Sequence, residues 1–298
     1  MPELPELEVV CEVLQRRVVG QTIQAVSILP PGRAVVVRDL TGQSFQASLT
    51  GAAVLDVTRR GKFLLFAFDR PLTLALNPKL AGRLQLAAPA EKRRAKTHVV
   101  FSLSGGGQLR YLDPKLMGQL YLTTDLNTVP DYAGMGPEAL EISPEDFRKR
   151  IKPCRGEIKG VLTRGDFVAG IGNAYADEIL WEARLHPYRK RTQLTAEEID
   201  RLYAAMRTTL LGAVEKVRQE MGERIEEEPR GFMAVHMKTS QPCPRCGTAI
   251  SLVGANQRIT NFCRACRPGG LIKGMWRMRT RLRSSRPAWN KPGGMFYM

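Results

Sequence analysis

Between residues 21 and 124 the chain breaks into short apolar runs: Thr22–Leu29, Ala34–Arg38, Ser44–Leu49, Ala53–Thr58, Phe63–Phe68, Thr73–Leu76, Leu84–Ala87, His98–Leu103, Gln108–Leu112 and Gln119–Leu122. Gly61 and the Gly105-Gly106-Gly107 triplet punctuate them. Short strands recurring roughly every ten residues with turn signals between them predict an antiparallel sandwich or barrel.

Helical patterns flank that block. Over residues 5–19, Leu7, Val10, Cys11, Leu14 and Val18 fall on one helical face, with Pro5 suited to the first position and Gly20 to the stop. Cys11 reads there as a small core hydrophobe. Residues 125–142 carry Asn127, Pro130, Gly134, Gly136 and Pro137 and read as a linker. Ser143-Pro144-Glu145-Asp146 opens a helix, and Thr195-Ala196-Glu197-Glu198 is a capping box with Leu194 and Ile199 as its staple. Gly170-Ile171-Gly172-Asn173 reads as a glycine-rich turn into a helix, whose free N–H groups suit a phosphate. Glu226-Glu227-Glu228 reads as a solvated acidic surface. The fold class is α+β: an N-terminal β-sandwich over 1–130, a helical domain over 131–239, a small cysteine-rich unit over 240–267 and a basic tail over 268–298.

The net charge of +16 calls for a polyanionic partner. Residues 267–298 hold 8 basic and no acidic side chains, half of that excess. No apolar run reaches membrane-spanning length and no secretory signal is present, so cytoplasm or nucleoid is expected. Cys243, Cys246, Cys263 and Cys266 form C-x2-C-x16-C-x2-C, which predicts one tetrahedral, closed and therefore structural zinc ion. His186 and His236 are not needed as ligands.

The first residues offer a chemistry, although Pro2 and Pro5 taken alone read equally as an N-terminal stub and a helix-opening proline. Pro2 is small enough for Met1 to be trimmed, which leaves a secondary amine at the new terminus. An α-amino group titrates near pH 7.7–8.0, so part of it is neutral and nucleophilic at pH 7. Its adduct with a sugar C1′ is an iminium without an N–H, which stays a strong electron sink. Glu3 stands beside it as a proton donor.

The run Pro2-Glu3-Leu4-Pro5-Glu6-Leu7-Glu8 resembles the N-terminal signature of the formamidopyrimidine-DNA glycosylases, which excise oxidised bases and nick the strand. Leu4 points to that group, because the related endonuclease VIII group usually has glycine there. The resemblance spans about residues 2–267. It implies a two-layer sandwich, a helix–two-turns–helix element over about 144–220 and a four-cysteine zinc ribbon. It implies that Pro2 attacks C1′, Glu3 protonates the ring oxygen, and Glu6 supports the terminus. Lys62 contacts the lesion-strand phosphate and the site of the damaged base, Lys159 and Asn173 clamp flanking phosphates, and Arg258, on a hairpin tip beside Gln257, enters the minor groove or clamps phosphates. The partner implied is double-stranded DNA with oxidised bases or abasic sites, met by a monomer with no membrane contact.

Two loops depart from the family pattern. In Asn77-Pro78-Lys79-Leu80-Ala81-Gly82-Arg83, Asn77 replaces the expected His and Leu80 the wedging Met. In Asp113-Pro114-Lys115-Leu116-Met117-Gly118, Leu116 and Met117 replace an Arg that reads the orphaned base and a Phe that stacks beside it. Leu80, Leu116 and Met117 can still fill the hole left by an extruded base, but leucine cannot make an arginine's bidentate bonds. Weak opposite-base preference is expected. A non-catalytic DNA-binding protein of this fold, and an enzyme acting mainly on oxidised pyrimidines, are the alternatives. The connector over 221–236 is short for a lid over 8-oxoguanine, and the tail 268–298 extends beyond the resemblance.

Overall fold

The computed structural model describes residues 1–255 and 258–266. The basic tail and Gln257 lie outside the described residues, as does the side chain of Arg258. In chain order the first domain runs α1 (Leu4–Arg17), β1 (Ile23–Ile28), α2 (Gly32–Val35), β2 (Val37–Asp39), α3 (Phe45–Leu49), β3 (Val54–Arg60), β4 (Phe63–Phe68), β5 (Thr73–Asn77), β6 (Arg83–Ala87), β7 (Thr97–Leu103), β8 (Gln108–Leu112) and β9 (Gln119–Thr123). These strands form two sheets, β1-β7-β8-β6 and β2-β9-β5-β4-β3. Leu74, Leu76, Val99, Phe101, Leu109 and Leu120 are among the buried core residues.

Two expected strands are corrected. Residues 34–38 divide into the end of α2 and the short β2, and 44–49 are helical. The Ser44 hydroxyl caps α3 by accepting the Ala47 N–H, and Phe45 and Leu49 share its buried face. The sandwich is also not wholly antiparallel, because β2 pairs with β9 in parallel.

The second domain is α4 (Pro144–Ile151), α5 (Ile158–Leu162), α6 (Asn173–Glu182) and the long α7 (Ala196–Met221), followed by the hairpin β10 (Ser251–Ala255) and β11 (Arg258–Phe262). Ser143 caps α4 with Pro144 at its first position, and Thr195 and Glu198 satisfy each other's N–H groups at the start of α7. The domains share a border. Glu12 of α1 takes two bonds from Arg218 of α7, at 2.6 and 2.9 Å. Glu138 of the linker is buried and grips Arg59, Arg60 and the Gly61 N–H. The basic turn after β3 is thus partly consumed in fastening the domains, which leaves Lys62 as its cation facing the cleft. No helix among the described residues is long and apolar enough to cross a membrane.

Candidate active site

Burial of Leu7, Val10, Cys11 and Leu14 docks α1, and this fixes the N-terminus at the domain border. Pro5 sits one position further into the helix than expected, since Glu3 is the cap residue. The Leu4 N–H donates to the Gly170 carbonyl at 3.0 Å. Gly170 has φ +98, and a Cβ there would strike Leu4. Glu3 is thereby brought to the N-terminus of α6. Its carboxylate accepts the N–H groups of Gly172 (2.6 Å), Ala174 (2.9 Å) and Tyr175 (3.3 Å). A helix N-terminus favours an anion through these unpaired donors and its dipole. The turn that suits a phosphate is therefore filled by the chain's own carboxylate, which corrects the expectation of a phosphate there. Gly172 leaves room for this, because a Cβ at that position would overlap the Glu3 carboxylate and force it to shift.

Glu6 backs this arrangement. It accepts the Glu3 N–H and the Tyr175 hydroxyl, both at 2.9 Å, and Arg230 Nη2 at 3.4 Å. Burial pushes the Glu6 carboxyl above the usual range. Burial also raises the Tyr175 hydroxyl, with the Glu6 charge adding to it.

Two acids of the connector, Glu226 and Glu228, are tucked into ion pairs rather than solvated, contrary to expectation, while Glu227 stays 40% exposed in a surface pair with Arg224. Glu226 pairs with Arg94 at 2.6 Å. Glu228 accepts the Met1 amine at 3.0 Å, Arg230 at 2.6 Å, and Arg83. Arg230 also donates to the Met1 carbonyl at 2.7 Å. Burial, then Arg230 and Arg83, push the Met1 amine down to about 5. The carboxylates of Glu3 and Glu6 pull the other way.

Two adjoining hollows of ≈ 640 and ≈ 470 Å³ open here, and Met1 and Lys62 line both. Lys159, Asn173 and Thr260 line the first, and Pro2, Asn77 and Lys79 the second. Burial lowers the pKa of Lys62, with the Glu3 charge opposing. Lys159 is turned inward. Its ammonium meets the buried Asp177 at 2.7 Å, the Thr260 hydroxyl at 2.9 Å and the Ile259 carbonyl at 3.0 Å. It therefore braces α5 and α6 against β11. Asn173 shares the Ile259 carbonyl at 2.8 Å. Asp177 also takes His236 Nδ1 at 2.9 Å, consistent with a structural histidine.

The two divergent loops meet at the Tyr111 hydroxyl, which packs on Gly82 and Gly118 and donates to Asp113 Oδ2 at 3.3 Å. Asp113 also takes the N–H groups of Lys115 and Gly118, and Asn77 takes that of Lys79. Lys79 and Leu116 have left-handed backbones, with φ 47 and φ 55. These locked loops leave Leu80 40% and Met117 49% exposed, while Leu116 packs partly into the core. Lys115 is exposed, and Arg83 is turned toward Glu228.

The four ribbon cysteines place their Sγ atoms within 4.8 Å of one another. Pairs lie at 3.3 Å (Cys246–Cys266), 3.4 Å (Cys246–Cys263) and 3.7 Å (Cys243–Cys266). A thiolate tetrahedron around zinc has Zn–S near 2.3 Å and edges of roughly 3.8 Å, so the donor set fits the ion. Trp181 Nε1 donates to Cys243 Sγ at 3.4 Å, and Arg245 lies 4.0 Å from the Trp181 ring. That ties the ribbon to α6.

A sandwich joined to a helical domain and a four-cysteine ribbon, with an N-terminal Pro-Glu pair at their border, defines a DNA glycosylase of the helix–two-turns–helix class. Three family models match in order: the formamidopyrimidine-DNA glycosylase N-terminal domain (1–120), its H2TH domain (134–223) and a zinc finger found in FPG and IleRS (240–269). A formamidopyrimidine-DNA glycosylase of Symbiobacterium thermophilum is 39% identical over 277 residues, with 90% of each chain covered. One from Pelotomaculum thermopropionicum is 34% identical, covering 89% of this chain and 99% of its own. Among solved structures, Lactococcus lactis Fpg with DNA containing an abasic site is 29% identical with TM-score 0.79, covering 90% of this chain and 100% of that one. MutM with DNA containing carbocyclic 8-oxo-G is 30% identical, also at 0.79, with the same coverage. The chain belongs to the formamidopyrimidine-DNA glycosylase family. It is a base-excision repair glycosylase in a family that also has AP lyase activity, and it carries a structural zinc site.

Proposed function

We propose that the chain, once Met1 is removed, uses the Pro2 amine to attack C1′ of a nucleotide extruded from double-stranded DNA that carries an oxidised base or an abasic site. Glu3 delivers the proton to the sugar ring oxygen. Elimination through the iminium then severs the 3′ and 5′ phosphates in turn. Lys62 sits at the lesion-strand phosphate, Asn173 and Asn77 contact the backbone along the cleft, and Arg258 approaches from the ribbon hairpin. Arg83 and Lys159 act from behind the surface, through Glu228 and Asp177. Lys115, exposed on its loop, meets the backbone near the lesion. Leu80 and Met117 enter the stack, with Leu116 supporting them. One zinc ion held by Cys243, Cys246, Cys263 and Cys266 fixes the ribbon. The working units are 1–130, 131–239, 240–267 and the tail 268–298, in a monomer acting at the nucleoid.

The observation that carries this reading is the Glu3 carboxylate. It is 1% exposed, adjoins Pro2, and is held by three α6 N–H groups where α6 meets the basic cleft. The neighbouring structures, solved with abasic, 8-oxo-G or Fapy-dG DNA, support the substrate class. The test is a panel of end-labelled lesion duplexes with each opposite base. Doubly eliminated products from oxidised purines, with little dependence on the opposite base, are expected. Binding without cleavage of any lesion would overturn it.

A further inference from the structure

The Met1–Pro2 peptide bond sits where the covalent intermediate would form. Its carbonyl carbon is bonded to the same nitrogen that C1′ would join. The Met1 carbonyl carbon therefore stands in for C1′, and the Met1 oxygen for an oxygen substituent on it. Arg230 Nη2 lies 2.7 Å from that oxygen. The same Nη2 also meets Glu228 at 2.6 Å and Glu6 at 3.4 Å. Its Nε is buried without a hydrogen-bond partner. Trimming Met1 removes the carbonyl acceptor and leaves this donor aimed at the nucleophile's target.

We propose that Arg230 is a further catalytic residue, which donates a hydrogen bond to the oxygen on C1′ as the Pro2 amine attacks. The inference rests on the reading of Pro2 as nucleophile. At an abasic site the C1′ aldehyde is attacked by the amine lone pair. The N–C1′ bond forms, and the C=O π pair moves to the oxygen, which takes a proton while nitrogen loses one. A second proton then expels that oxygen as water and leaves the iminium. Arg230 stabilises the oxygen while its charge develops. Glu228 and Glu6 are positioning residues for it, and Arg83 steadies Glu228. Arg230 belongs to the connector, so the short loop over 221–236 contributes chemistry to the cleft.

The test is single-turnover borohydride trapping on an abasic duplex with Arg230→Ala and Arg230→Lys. Loss of one donor to a developing oxyanion costs about 100-fold in rate. The Ala variant is expected to lose about that factor in maximal trapping rate, with half-saturating DNA unchanged within about twofold. The Lys variant, which keeps charge and packing, should recover about tenfold. Wild-type rates in both variants, or a loss confined to half-saturation, would assign Arg230 to DNA binding or structure instead and overturn the proposal. If the wild-type chain traps no adduct, the Pro2 reading itself fails and this proposal with it.

Discussion

Gly172→Ala isolates the link between the two domains. Gly172 has φ −123, which alanine adopts freely, so the substitution brings no backbone strain. Its whole effect is the added methyl, which would overlap the Glu3 carboxylate. Glu3 must swing away from at least two of its three N–H donors. A hydrogen bond to a charged group is worth about 1.5–3 kcal/mol net. Partial relaxation returns some of this, so a destabilisation of about 3 kcal/mol is expected. At about 2–4 °C per kcal/mol, the melting temperature should fall by roughly 6–12 °C. Displacing a general acid costs about 100-fold or more in rate. Calorimetry and single-turnover excision from a lesion duplex measure the two effects. Excision within threefold of wild type, with an unchanged melting temperature, would show that Glu3 is not held against α6 and refute the reasoning.

Other expectations follow from the same structure. Gly212→Ala, exposed within α7 with open space at its Cβ, should stabilise the chain by about 0.5–1 kcal/mol without changing excision, and a loss of stability would contradict the helix. Chelating the zinc should alter Trp181 emission, since its indole donates to Cys243, and weaken duplex binding at least about tenfold as the ribbon loosens; unchanged binding would show that the ribbon does not depend on the metal. Leu80→Ala and Met117→Ala, which truncate exposed apolar tips, should each slow excision from duplex DNA by about tenfold, roughly the loss of 1–2 kcal/mol of burial in the stack. Trapping on single-stranded abasic DNA should be spared, and equal losses on both substrates would rule out a wedging role.

Most strands were legible because their alternation is local. Residues 44–49 misled as a strand although the helix signal was present: Ser44 as cap and the Phe45–Leu49 spacing. The parallel pairing of β2 with β9 left no local mark, since its partners lie more than eighty residues apart. The Pro2-Glu3 pair, Lys62 and the four cysteines were recognisable from motif and spacing. What local reading missed is long-range. Nothing in Glu226-Glu227-Glu228 says that Glu228 folds onto the N-terminus, or that Arg230 follows it. The cradle for Glu3 comes from residues about 170 positions away, and a glycine-rich turn suits a carboxylate as well as a phosphate. Tyr175 and Glu138 likewise gave no signal alone. Their roles arise from partners that only the folded chain supplies.

The central claim is that a free Pro2 amine, not a side chain, makes the bond to the sugar. Borohydride reduction of the complex with an abasic duplex, followed by digestion and mass spectrometry of the adducted peptide, addresses it directly. The account predicts a stable adduct on the nitrogen of Pro2 in a chain lacking Met1. An adduct on Lys62 or another lysine, or an unmodified terminus that still carries Met1, would contradict it.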